Sequence, residues 1–208
     1  MKIQEILAEA TVIPVLELDR LEDAAPLAAA LAAGGLRVIE LTLRTEAALA
    51  AVAVMKSAAP SLVVGMGSVR NADDIVRSIG AGAEFLVSPG ASASLIESLS
   101  SSSTPALPGV ATVSEAMTAR ELGILAMKFF PAEAAGGAAW LKAIAGPLPD
   151  IVFCPTGGIT PETAPRYLSL SNVACVGGSW IAPRAMIRAG DWRGVETNAR
   201  SAASLRVR

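Results

Sequence analysis

Of the four lysines in the chain, Lys2 lies at the N-terminus and Lys56 and Lys142 fall on helical stretches with solvated surroundings. Lys128 instead sits between Met127 and Phe129 in an apolar, strand-like run. Desolvation there disfavours the ammonium form, and Arg44, if folding brings it near, adds to that effect. A neutral buried amine adds to a carbonyl carbon and, on loss of water, gives a Schiff base. The competing reading is a lysine that snorkels from a strand end to water. Apolar neighbours on both sides favour the nucleophile.

The run Arg37 to Leu43 alternates. Ile39, Leu41 and Leu43 form one face, while Val38, Glu40, Thr42 and Arg44 form the other. In a sheet closed on itself the Ile39 face packs on helices and the Glu40 face points into the interior or its mouth. A glutamate inside a strand and an arginine at its end are costly unless paired or used. Paired, they form a structural ion pair. Used, they are a proton carrier and a holder of an anionic substrate. By the same period Ala126, Lys128 and Phe130 share a face.

The chain has no histidine, which removes the commonest general base and the commonest ligand of zinc or iron. No metal site and no cofactor are expected, and the chemistry falls to Lys, Glu, Asp, Arg, Ser, Thr or Cys. Cys154 and Cys175 both lie in apolar runs and read as reduced core residues. Thr156-Gly157-Gly158 and Gly177-Gly178-Ser179 each follow directly on an expected strand. In barrels the loops after strands seven and eight often hold phosphate through backbone N–H groups, which glycine lets approach closely. Gly34-Gly35 reads as a helix C-cap, and Gly136-Gly137 stays unassigned.

The elements that must position these groups alternate along the chain. A short leading helix, about Ile3 to Ala10, precedes strands expected over Val12–Leu16, Arg37–Leu43, Leu62–Gly67, Glu84–Val87, Pro105–Leu107, Leu125–Phe129, Ile151–Cys154 and Val173–Val176. Helices are expected to start near Leu21, Thr45, Asn71, Ser92, Ser114, Gly137, Pro161 and Pro183, with Asn71 and Thr160 as N-caps. Eight strand–helix units with short connections predict an α/β protein with a parallel sheet. No G-x-G-x-x-G follows the first strand, so a single (β/α)8 TIM barrel over residues 1–208, with a short N-terminal helix, is favoured over a doubly wound dinucleotide fold.

Hydrophobic residues make up 52% of the 208, and mean hydropathy is +0.51, mostly through alanine. No stretch reaches the roughly 18 consecutive apolar residues of a spanning helix, and the N-terminus lacks an apolar signal core. Net charge is −2 with no basic tract, so neither nucleic acid nor a membrane surface is an expected partner. A cytoplasmic location is expected.

Several blocks, taken together, resemble a known family. They are Leu36-Arg37-Val38-Ile39-Glu40-Leu41-Thr42-Leu43-Arg44-Thr45, Gly65-Met66-Gly67-Ser68, Ser88-Pro89-Gly90, Lys128-Phe129-Phe130-Pro131-Ala132-Glu133, Phe153-Cys154-Pro155-Thr156-Gly157-Gly158-Ile159 and Gly177-Gly178-Ser179-Trp180. In this order they resemble the 2-keto-3-deoxy-6-phosphogluconate (KDPG) and 4-hydroxy-2-oxoglutarate aldolases, over nearly the whole chain. The resemblance implies a class I aldolase of the Entner–Doudoroff pathway that cleaves the phosphorylated keto acid to pyruvate and glyceraldehyde 3-phosphate. A side activity on 4-hydroxy-2-oxoglutarate is implied too. Lys128 would form the Schiff base and Glu40 would be the general acid/base. Arg44, Ser68, Pro89 and Phe130 would make the keto-acid pocket. Thr156, Gly157, Gly158, Gly178 and Ser179 would hold the phosphate. A homotrimer is implied as well.

This chain departs from the family in having Ser68 where threonine is usual, and the segment after Asp191 matches less well and is given no role. Thr42, Arg44, Thr45 and Thr156 lean toward the gluconate over the galactonate epimer. The rival readings are another phosphosugar barrel enzyme and a phosphosugar-binding barrel without turnover. The absence of histidine counts against metal-dependent epimerases, and the survival of Glu40, Arg44 and Lys128 counts against a dead site.

Overall fold

The computed structural model describes residues 1–205. Its strands are β1 (Val12–Leu16), β2 (Val38–Thr42), β3 (Val63–Gly67), β4 (Phe85–Val87), β5 (Ala106–Leu107), β6 (Gly109–Val110), β7 (Ala126–Phe129), β8 (Val152–Pro155) and β9 (Val176–Gly178). Every ladder is parallel. Six strands form a curled sheet in the order β5-β4-β3-β2-β1-β9, and β6-β7-β8 form a separate one. The α/β class and the alternation of strands with helices agree with the sequence; the ladders divide where one continuous set of eight is expected.

The division has local causes. Pro108 separates β5 from β6 and carries no N–H for a ladder, although its carbonyl accepts from the Lys128 N–H at 2.9 Å. On the other side, β8 and the β9 region meet through single bridges, Phe153 to Val173 and Thr156 to Gly177.

The expected last strand, Val173–Val176, is displaced toward the C-terminus. Pairing with β1 begins at Val12 opposite Val176 and runs to Pro14 opposite Gly178, so Gly177 and Gly178 are strand residues and not a loop. The helix expected to start at Pro161 is assigned over Ala164–Leu168. Thr160 still accepts the Thr163 N–H on its hydroxyl, at 3.4 Å, through a tight preceding turn. Asn71 and Ser92 are side-chain N-caps.

Two buried clusters follow from the strand alternation. Ile39 and Leu41, with the helix faces, belong to the larger one. Val38, Ile13, Phe85, Leu107, Ala126, Cys154 and Cys175 form a separate one, closed at one end by Ile6, Leu7 and Ala10 of the leading helix region. Glu40 and Lys128 share the parity of Val38 and Ala126, so this smaller cluster is the floor on which they stand. The C-terminal helix Trp192–Ala203 buries Val195, Ala199 and Ala202. It sits so close to the end of helix Ala24–Ala33 that a Cβ on Gly34 would overlap Ala199. That packing gives the segment beyond Asp191 a structural role.

Candidate active site

Strands β2 and β7 bring Glu40 and Lys128 together although 88 positions separate them in sequence. Lys128 Nζ donates to Glu40 Oε1 at 3.0 Å and Oε2 at 3.1 Å. Lys128 is 5% exposed and Glu40 4%, so the pair is withdrawn from water and each group is the other's charge partner. The Phe130 ring lies with its centroid 5.6 Å from Nζ, within cation–π range. Glu40 is thus paired with Lys128 and not with Arg44, contrary to the structural ion-pair reading.

Room for the carboxylate comes from β3. A Cβ on Gly67 would overlap Glu40 Oε1, and one on Gly65 would overlap the Phe85 ring. Sequence reasoning misses Gly67 as a site residue. The available signal is a glycine inside a strand, which often marks close approach of another group. Gly67→Ala should displace the carboxylate from Lys128 and lower turnover by roughly 10- to 100-fold, as for a misplacement of about 1 Å. A steady-state assay beside a thermal melt checks this; wild-type turnover in a folded variant would show that the carboxylate's position is unimportant.

Arg44 stands just beyond β2 with its side chain about half exposed. Its Nε donates to Ser68 Oγ at 3.1 Å and its Nη1 to Glu17 at 2.6 Å. Its guanidinium is thus engaged by residues just past the ends of β3 and β1. Ser68 has φ +61° and is the one non-glycine residue with positive φ among those described. Backbone strain of this kind tends to persist at functional sites. Arg44, Ser68, Pro89 and Phe130 line one cleft of about 420 Å³. Arg44 and Phe130 also line an adjoining one with Thr156, Gly157, Gly158, Gly178 and Ser179. All the anticipated keto-acid and phosphate residues therefore gather at the C-terminal ends of the strands, around Arg44 and Phe130. Thr42 and Thr45 do not join them, since their hydroxyls donate to the carbonyls of Leu16 and Leu18.

In the glycine cradle, Gly157 and Gly158 have φ of +104° and +78°, a backbone that side chains resist. The cradle is stitched to the segment after β7. The Ala132 N–H donates to the Thr156 carbonyl at 2.8 Å and the Glu133 N–H to the Gly157 carbonyl at 3.1 Å. The Glu133 carboxylate accepts from Arg166 and from the Tyr167 hydroxyl. These donors hold its carboxyl below the usual range, whereas burial, with Glu133 beside it, pushes the Tyr167 phenol up to about 12. Glu133 is therefore an anchor. Gly178 has another reason to be glycine, because a Cβ there would overlap the Trp180 ring.

A further group of charges rings the mouth. Asp19 pairs with Arg184 and Arg188, which hold its carboxyl far below the usual range. Glu17 contacts both Arg44 and Arg184. Neither acid stands out in the sequence. Cys154 and Cys175 are buried and form no disulfide. No group of three or more Cys, Asp or Glu placed to hold a metal ion occurs among the described residues.

A buried amine beside a buried acid suits carbonyl chemistry, and comparison with known proteins agrees. The family model for KDPG and KHG aldolase matches residues 3–198. The 2-dehydro-3-deoxy-phosphogluconate aldolase of Pseudoalteromonas atlantica is 46% identical over 189 residues, 91% of this chain and 88% of that protein. Among solved structures, the KDPG aldolase of Legionella pneumophila, with pyruvate captured at low pH as a covalent carbinolamine intermediate, superposes with TM-score 0.95 at 43% identity, covering 98% of this chain and 99% of that one. The Zymomonas mobilis enzyme with 3-phosphoglycerate gives TM-score 0.93 at 43% identity, covering 98% and 95%.

Proposed function

Because the chain belongs to the KDPG and KHG aldolase family, we propose that Lys128 is the amine on which its reaction runs and that Glu40 carries the protons. The activity is that of a 2-dehydro-3-deoxy-phosphogluconate aldolase, a lyase giving pyruvate and glyceraldehyde 3-phosphate in the Entner–Doudoroff pathway. The observation that carries the residue assignment is the buried Lys128–Glu40 contact at 3.0 Å.

A proton passed from Nζ to the carboxylate leaves a neutral amine beside a neutral acid, with no net charge created in the apolar site. The amine attacks C2, one Nζ proton passes to the C2 oxygen to give the carbinolamine, and protonated Glu40 supplies the second proton as that oxygen leaves as water. The resulting iminium is an electron sink. Glu40, now a carboxylate, removes the C4 hydroxyl proton directly or through one water. The C3–C4 bond breaks to release the aldehyde, and its electrons form an enamine. Glu40 returns the proton to C3, and water hydrolyses the pyruvate imine.

Arg44 and Ser68 are assigned to the substrate carboxylate, with Pro89 and Phe130 as pocket walls. Thr156, Gly157, Gly158, Gly178 and Ser179 are assigned to the phosphate, which suits backbone N–H groups at the C-terminal ends of strands and the turns that follow them. The 3-phosphoglycerate in the Zymomonas mobilis relative supports a three-carbon phosphorylated ligand here. 4-Hydroxy-2-oxoglutarate would use the same keto-acid end. Preference for the gluconate over the galactonate epimer is assigned to the Thr42, Arg44, Thr45 and Thr156 forms, with the Thr42 and Thr45 hydroxyls holding the carbonyls of Leu16 and Leu18.

The two sheets are read as one closed (β/α)8 barrel, a single domain expected over residues 1–208, of which 206–208 lie outside the described residues. The supports are the continuous chain across Pro108, the β8–β9 bridges, and an interior cluster fed by both sheets. Exposed Val76 and Ile79 on helix Ala72–Gly80 and Val113 and Met117 on helix Val113–Glu121 favour burial in a homotrimer. Reduced, buried cysteines suit a cytoplasmic enzyme, and no described helix is long and apolar enough to cross a membrane.

The test is incubation with pyruvate and borohydride, followed by peptide mapping. With four lysines to choose from, a single reduced adduct on Lys128 is expected. No adduct, or one spread over Lys2, Lys56 and Lys142, would defeat the assignment and favour a binding protein.

A further inference from the structure

Glu17 is an acid in a cleft meant for anions. It stands one residue past β1 and lines a space of about 530 Å³ with Arg44, Ser179 and Arg184. Its side chain is 27% exposed, with Oε1 2.6 Å from Arg44 Nη1 and Oε2 3.4 Å from Arg184 Nη1. By Coulomb repulsion alone such a carboxylate works against a substrate that carries a carboxylate and a phosphate. Its presence therefore asks for a compensating role.

The geometry points to Glu17 as a positioning residue for Arg44, an inference that rests on the aldolase assignment above. Arg44 projects from a strand end with about half of its side chain in solvent, and a long side chain left loose must be ordered by the ligand. Ser68 holds Nε and Glu17 holds Nη1. The guanidinium plane is thereby fixed before substrate arrives, with the edge at Nη2 left for the keto-acid carboxylate. Ordering one rotamer-rich side chain in advance is worth roughly 2- to 10-fold in affinity. The repulsion that Glu17 exerts on the ligand is offset by the two arginines it touches. Positioning and repulsion predict opposite signs when Glu17 is removed, so the sign of the change separates them.

The experiment is borohydride trapping of the Lys128–pyruvate adduct across a pyruvate series, with wild type, Glu17→Ala and Glu17→Gln. Glu17→Ala should raise the half-saturating pyruvate concentration by roughly 2- to 10-fold, while adduct at saturation stays close to wild type, a split that global misfolding would not give. Glu17→Gln keeps an acceptor oxygen for Nη1 and should recover most of the loss. In an Arg44→Lys background Glu17→Ala should add little, because the two act through one interaction. An unchanged or lowered half-saturating concentration in Glu17→Ala overturns the inference, as does an equal rise in the Arg44→Lys background. A wild-type enzyme without any Lys128 adduct defeats the aldolase assignment itself, and this inference with it.

Discussion

Lys128→Ala should reduce aldol cleavage by at least about 10⁴-fold, the scale on which loss of a covalent nucleophile is felt. Among the described residues, no other lysine lines the clefts at the strand ends. Without the iminium there is no electron sink for the C3–C4 bond, and the neighbouring cation, Arg44, is held by Glu17 and Ser68. The substitution also has a structural cost. Glu40 is 4% exposed, and Lys128 is its hydrogen-bond donor. Removing one partner of a buried pair costs about 3–5 kcal/mol, because the other charge is left without compensation. Loss of activity could then be blamed on unfolding, so another variant is needed. The double change Lys128→Met, Glu40→Gln removes both charges at similar volume and should recover much of the stability while leaving the enzyme inactive. Denaturant unfolding and a pyruvate-coupled assay read the two effects separately. Near-normal turnover in Lys128→Ala or Lys128→Met would sink the scheme.

Lys128 and Glu40 are legible in the sequence because each interrupts an apolar, alternating run, where a charge is too costly to be incidental. The alternation also assigns them to one interior without fixing their distance. What stays hidden depends on partners in three dimensions. Glu17 lies in the acid-rich stretch Glu17-Leu18-Asp19-Arg20-Leu21-Glu22-Asp23, and only its approach to Arg44 distinguishes it from a solvated surface acid. Gly67 has meaning only once the Glu40 carboxylate is known to fill the space of its missing Cβ.

The misplacement of the last strand has a comparable cause. Glycine is depleted in strands, so Gly177 and Gly178 read as loop. Yet Thr156 and Trp180 occupy the space their side chains would need, and β1 still pairs with their backbone. The fifth strand is foreseeable up to Pro108 and not beyond, because proline interrupts the hydrogen-bond ladder without ending the extended course of the chain.

Glu40→Gln should lower turnover by about 10²- to 10⁴-fold, the range for loss of a positioned acid–base, and should do so without abolishing the covalent adduct. The amide matches the carboxylate in size and still offers Lys128 an acceptor oxygen, so the pocket and the amine keep their places. Two functions are lost. The amide cannot take the proton from Nζ and return it to the C2 oxygen, so imine formation slows. Nor can it move a proton between the C4 hydroxyl, solvent and C3. Deuterium exchange into the methyl group of pyruvate isolates this last step, because it requires imine, enamine and reprotonation but no aldehyde. Followed by NMR in deuterated buffer, wild type should exchange readily, whereas Glu40→Gln should exchange slowly even when borohydride still traps pyruvate on Lys128. Lys128→Ala should do neither. Full exchange in Glu40→Gln would assign the proton transfer at C3 to another group or to water, and would leave Glu40 with only the charge pairing seen at 3.0 Å.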